Sequence, residues 1–156
     1  MLSFDLRALE EGPVVTEATV PADHPALAGL TMQLVGPVEV GGRLVGTSGD
    51  DVLWHGHLGA QVAGECRRCL EPTLQVLDEF VEVVFSANEE LLEDPSVYPL
   101  DVRASDVDLG QAVREELVLR VEPFPLCRPD CAGLCPTCGA DLNAGPCGCA
   151  VPGTTN

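Results

Sequence analysis

The chemistry in this chain is concentrated in its cysteines. There are eight, and all eight fall in close pairs: Cys66-Arg-Arg-Cys69, Cys127-Arg-Pro-Asp-Cys131, Cys135-Pro-Thr-Cys138 and Cys147-Gly-Cys149. A pair separated by one to three residues lets a tight turn present both sulfurs to one metal ion. Four such pairs supply the ligands of two tetrahedral four-thiolate sites, so two bound ions, zinc for preference, are expected. A site closed by four thiolates leaves no position for water or substrate, which marks it as structural rather than catalytic.

Composition narrows the class of protein. The chain has 156 residues, 46% of them hydrophobic, with 8 basic against 25 acidic residues and a formal charge of −17. Every base is an arginine. Bound zinc would not reverse this charge, since four thiolates outweigh one dication. A surface so negative lacks the basic footprint of nonspecific nucleic-acid binding and suits solubility or a basic partner. The first residues, Met-Leu-Ser-Phe-Asp-Leu-Arg, lack the apolar run of a signal peptide, and no stretch reaches the roughly 18 apolar residues of a membrane span. A cytoplasmic protein with no membrane association is therefore expected. In that reducing compartment paired cysteines point to metal rather than disulfides.

Enzyme signatures are missing. Zinc deaminases need a His-x-Glu and a downstream Pro-Cys-x-x-Cys, and neither is present. There is no Gly-x-Ser-x-Gly, P-loop or Gly-x-Gly-x-x-Gly either, and no small-molecule substrate is evident. The Cys66–Cys69 pair could serve as a redox couple, giving the alternative reading of a thiol-based redox or metal-responsive regulator. A thioredoxin-like pair opens a helix, however, and the residues after Cys69 alternate as a strand.

The elements that would position the cysteines are mostly strands. Short apolar stretches at Leu2–Leu6, Val14–Val20, Met32–Val40 and Leu44–Thr47 are punctuated by turn residues, with Gly41-Gly42 reading as a two-residue hairpin turn. Pro21, Pro25 and Pro37 limit the strands beside them, and His24 lies in a Pro-rich loop. Residues 51–66 alternate most regularly: Val52, Trp54, Gly56, Leu58, Ala60 and Val62 on one face, His55 and His57 on the other. The two histidines could form a metal pair, but no third ligand is near in sequence, and solvated side chains are the simpler reading. Cys66 and Cys69 then occupy a turn, and Leu74–Phe85 returns as a long strand. An acidic connection over 86–104, densest at residues 89–94, leads to a helix near 108–121. Asp106 or Asp108 would cap it, Leu109, Val113, Leu117 and Val121 would form its apolar stripe, and Arg114, Glu115 and Arg120 would face outward. The expected fold is α+β: a mainly antiparallel sheet or partly open barrel, one covering helix, and a C-terminal cysteine-rich zinc knuckle. Residues 1–126 would form the core, 127–149 the zinc-binding segment and 150–156 a disordered tail.

Three motifs together carry a family resemblance. They are Glu-Cys66-x-Arg-Cys69-Leu-Glu-Pro, the Asp-Leu-x3-Val-x-Glu-x-Leu-x-Leu pattern at 108–119, and Pro-Leu-Cys127-x3-Cys131-x-Gly-Leu-Cys135-Pro-x-Cys138-Gly-x-x-Leu-Asn. Over about residues 66–149 the chain resembles the YceD family, bacterial proteins named for 23S rRNA accumulation. The resemblance implies a non-enzymatic ribosome-biogenesis factor, with a basic ribosomal protein or a 23S rRNA precursor as partner. Relatives with a degenerate C-terminal knuckle hint that Cys66 and Cys69 pair with Cys127 and Cys131, leaving Cys135, Cys138, Cys147 and Cys149 as a second site. Such a first site would clip together segments about sixty residues apart. One compact site from Cys127, Cys131, Cys135 and Cys138 remains the competing assignment. Arg67 and Arg68, presented at the tip of the first turn, are the candidate contacts to RNA or a partner.

Overall fold

A computed structural model describes residues 2–149; the tail over 150–156, expected to be disordered, lies outside the described residues. Two compact units form, residues 2–62 with 76–121 and residues 63–75 with 122–149. The strands are β1 (Ser3–Asp5), β2 (Val14–Val20), β3 (Gln33–Leu34), β4 (Val38–Gly46), β5 (Val52–Glu65), β6 (Pro72–Ser86), β7 (Val97–Pro99) and β8 (Asp106–Asp108), followed by one helix, α1 (Gly110–Arg120).

The first unit is built on a mixed sheet in the order β2-β4-β5-β6-β7, with β3 also pairing β5. β2 and β5 flank β4 antiparallel, while β7 joins β6 in parallel. The sheet is mostly antiparallel and does not close, and with one helix it bears out the sheet form of the expected fold. The alternation in β5 does what its period requires: Val52, Trp54, Leu58, Ala60 and Val62 are buried, and His55 and His57 stand on the opposite face, half-exposed. Val52, Trp54, Leu58 and Ala60 meet Val81, Val83 and Phe85 of β6, Leu109 before the helix, and Ala112, Val113 and Leu117 of the helix in one core. Each large apolar side chain so enclosed contributes about 1.5–3 kcal/mol. The one indole in that core finds a partner, donating to the buried Thr16 hydroxyl at 3.0 Å.

Three expectations need correction. Gly41 and Gly42 do not turn the chain. They lie inside β4, paired with Glu17 and Thr16 on one side and with His57 and Gly56 on the other. Gly42 has φ +138°, and a Cβ there would sit 2.2 Å from the His55 carbonyl oxygen. Glycine is used here for close strand approach rather than for reversal. The helix, in turn, begins at Gly110, because Asp106–Asp108 pairs with Ser3–Asp5 as a two-stranded ribbon. Asp108 still serves the helix start, accepting the Gly110 N–H at 2.8 Å.

The outward side of the helix also differs. Arg114 donates to the Ala28 carbonyl, Glu115 accepts the Tyr98 hydroxyl at 2.7 Å, and Arg120 pairs with Glu116 one turn back. The exposed helix positions are instead Gln111, Val118 and Leu119. No helix among the described residues is long and apolar enough to cross a membrane.

Candidate metal centre

The second unit contains all eight cysteines. Cys66–Cys69 forms the turn between β5 and β6, and its backbone is a closed knuckle. The Leu70 N–H returns to the Cys66 carbonyl at 2.9 Å, and the Cys66 N–H reaches the Glu71 carbonyl at 2.8 Å. Cys135–Cys138 repeats this pattern bond for bond: Gly139 N–H to the Cys135 carbonyl at 2.8 Å, and Cys135 N–H to the Ala140 carbonyl at 2.8 Å. The residue after each knuckle is left-handed, Leu70 at φ 63° and Gly139 at φ 74°. The two pairs are thus two copies of one local device, which points inner N–H groups and both sulfurs to one side.

The device brings the sulfurs together in two groups of four: Cys66, Cys69, Cys127 and Cys131, and Cys135, Cys138, Cys147 and Cys149, with every sulfur of a group within 4.8 Å of the others. In the first group Cys66 and Cys131 are 3.7 Å apart and Cys69 and Cys127 3.6 Å apart. A disulfide would require about 2.05 Å. Sulfurs at the corners of a tetrahedron around Zn2+, each about 2.3 Å from it, lie about 3.8 Å from one another. The separations therefore fit a shared ion and not a covalent bridge. The compact alternative, Cys127 and Cys131 with Cys135 and Cys138, is not the arrangement formed.

Thiols held this close cannot all ionise together without a counter-charge. Burial pushes the Cys66 thiol up, but hydrogen bonds with the backbone of Cys127, Cys69 and Arg68 outweigh it and hold it at about 6. Cys127 is pushed up to about 12, by burial and then by the neighbouring Cys69 and Cys131 sulfurs. The second group splits likewise. Backbone hydrogen bonds at Cys138 and Thr137 bring Cys135 to about 6, while the Cys138 and Cys147 sulfurs push Cys149 to about 11. A dication at the centre of each group would remove the repulsion and release the remaining protons. The groups differ in exposure: in the first Cys66, Cys69 and Cys131 are buried and Cys127 is exposed, whereas in the second only Cys135 is buried, Cys138 is exposed and Cys147 and Cys149 are half-exposed. Leu126 and Leu134 pack against Cys66, Cys69 and Cys131.

The arginines at the first knuckle have separate surroundings. Arg68 donates to the Cys131 carbonyl at 2.9 Å, and its own carbonyl accepts the Leu134 N–H at 3.2 Å, so it braces the cluster. Arg67 is exposed, and its backbone N–H is held by the Pro125 carbonyl at 2.9 Å. His55 and His57 do not join a metal group; His55 pairs with Glu82 at 3.0 Å and His57 with Asp78. Asn143 is the residue that closes the third sequence motif, but sequence reasoning gave it no role; its side-chain amide donates to Cys131 Sγ at 3.4 Å. The motif does not reveal that contact, which depends on how the 139–146 spacer folds back.

Comparison with known proteins agrees with the motif evidence. The family described as "Large ribosomal RNA subunit accumulation protein YceD" matches residues 54–154. Uncharacterized proteins of Mycobacterium tuberculosis and Mycobacterium bovis are 39% identical over 101 residues, covering 62% of this chain and 48% of theirs. An uncharacterized protein of Mycobacterium leprae is 30% identical over 151 residues, covering 89% of this chain and 66% of the relative. The chain thus spans about half to two thirds of the length of the curated relatives it matches. No solved structure matches.

Proposed function

This chain belongs to the YceD family, and from that premise we propose that it is a non-enzymatic factor supporting 23S rRNA accumulation and large-subunit assembly in the cytoplasm, held in shape by two structural zinc ions. The observation that carries the reading is that all eight cysteines, in their two groups of four, fall within the matched residues 54–154.

The first ion would be held by Cys66, Cys69, Cys127 and Cys131. It would tie together residues 58 and 65 apart in the chain, restricting the unfolded state, and structural zinc contributes roughly 10 kcal/mol or more of apparent binding energy to such folds. The second would be held by Cys135, Cys138, Cys147 and Cys149. The partner is a basic ribosomal protein more than naked rRNA, because a chain of charge −17 repels phosphate. Any RNA contact would centre on Arg67, with Arg68 already engaged at Cys131. The redox reading draws support from the low-lying Cys66 thiol, but the Cys66–Cys69 pair joins two strands and opens no helix.

The test is genetic and chemical together. Loss of the gene should lower large-subunit rRNA relative to small-subunit rRNA. The wild-type chain should restore the ratio, and a Cys66→Ser/Cys69→Ser chain should not. An unchanged ratio on gene loss would remove the ribosomal reading, whatever the metal content.

A further inference from the structure

We propose that Asn143, carried on the spacer of the Cys135–Cys149 cluster, is the residue through which that cluster governs how firmly the Cys66–Cys131 cluster keeps its ion. The inference rests on the metal reading above and extends it to an order of metal release.

Asn143 lies in the short 3-10 turn Leu142–Ala144, between Cys138 and Cys147. Asp141 Oδ1 accepts both its backbone N–H and its side-chain amide, each at 2.9 Å. The Leu142 N–H anchors the turn on the Gly133 carbonyl at 2.9 Å. From there the side chain reaches out of its own cluster. Its Oδ1 accepts Arg128 Nη2 at 2.7 Å and the Ala132 N–H at 2.8 Å, and its Nδ2 donates to Cys131 Sγ at 3.4 Å. One amide thus grips the Cys127–Cys131 loop by its acceptor and one of that loop's sulfurs by its donor.

An uncharged N–H donor is the group such a position needs. It takes up part of the charge of a ligating thiolate and fixes the sulfur's direction without competing for the metal. Aspartate would keep both accepted hydrogen bonds, but it would replace the donor with a second negative charge beside the sulfur. Alanine would lose everything. The spacer that carries Asn143 is bracketed by Cys138 and Cys147, so its fold depends on the second cluster being closed. That cluster is also the more open one: each has one exposed cysteine, Cys127 and Cys138, but the other three of the first are buried, whereas Cys147 and Cys149 of the second are half-exposed. The second ion therefore leaves first. The spacer relaxes, Asn143 releases Cys131, and the first ion becomes labile.

The experiment uses the zinc-loaded full chain, a thiol-modifying reagent and a colorimetric zinc indicator, with the modified cysteines mapped by peptide mass spectrometry. Wild type should release zinc in two phases of one ion each, with Cys138, Cys147 and Cys149 modified in the fast phase. Asn143→Ala and Asn143→Asp should each speed the slow phase about 10- to 100-fold and leave the fast phase unchanged. Cys138→Ser should lose the fast-phase ion and speed release of the remaining one. An Asn143→Asp chain that releases zinc like wild type would show that the amide only braces a loop, and would overturn the proposal. So would a single release phase, or modification of Cys66 and Cys69 first, in the wild-type chain itself, a result that needs no folded variant. A chain that holds no zinc at all would instead remove the metal reading on which the proposal stands.

Discussion

Leu70 stands at φ 63°, a left-handed conformation that costs an L-residue roughly 1–2 kcal/mol, while the second knuckle places Gly139 at the equivalent step. Leu70 is exposed, so little packing repays the strain. Leu70→Gly should therefore leave thermal stability unchanged or raise it by up to about 1 kcal/mol, and Leu70→Val should lower it by about 1–2 kcal/mol or more, because branching at Cβ is least tolerated there. Thermal melts of the loaded protein measure both. The thiols permit a second test. Cys127 and Cys149 are held high, at about 12 and 11, so they carry protons at neutral pH and must lose them to bind metal. Metal loading should release protons, and affinity should rise with pH. Calorimetry in buffers of different ionisation enthalpy should show more protons released per ion at pH 6 than at pH 8, since Cys66 and Cys135, at about 6, also become partly protonated at the lower pH. The paired spacing of the eight cysteines was legible because a knuckle is a local object, set by four or five consecutive residues. The role of Asn143 was not, although the residue closes the third motif, because that role exists only after two knuckles have folded against each other's loops.

At the scale of elements, the knuckles and β5 could be read from period and spacing, whereas β4 and the helix start could not. Gly41-Gly42 has the composition of a hairpin turn, and only the approach of the neighbouring strand to Gly42 shows why glycine is needed in mid-strand. Asp106 resembles a helix cap, but pairing with Ser3–Asp5 claims it for a strand; such long-range competition leaves no local trace. The same principle changes what a truncation should do. The cysteines from Cys135 to Cys149 form a local group in the sequence, yet Leu134 bonds to Arg68 and Asn143 to Cys131. Deleting residues 133–156 should leave the β4–β5 sheet folded by circular dichroism. It should also weaken zinc retention at Cys66, Cys69, Cys127 and Cys131 at least about 10-fold in chelator competition. Unchanged retention after truncation would mean that the two clusters are independent.

At the scale of the whole molecule, charge decides the partner. With 25 acidic residues against 8 arginines, association with a basic ribosomal protein should be steered by long-range attraction and should weaken steeply with added salt. Calorimetry at matched physiological salt should find tighter binding to such a protein than to free 23S rRNA fragments. Submicromolar binding to RNA alone, lost in Arg67→Ala/Arg68→Ala, would make the first knuckle an RNA contact instead. Beneath both outcomes lies the claim that eight cysteines are ligands rather than redox thiols, and native mass spectrometry of the purified chain, with elemental analysis of the same sample, tests it most directly. Two zinc ions per chain, lost together with protection of the thiols on chelation, is the predicted result; a metal-free chain whose eight thiols all react freely in the native state, or are found as disulfides, would contradict it.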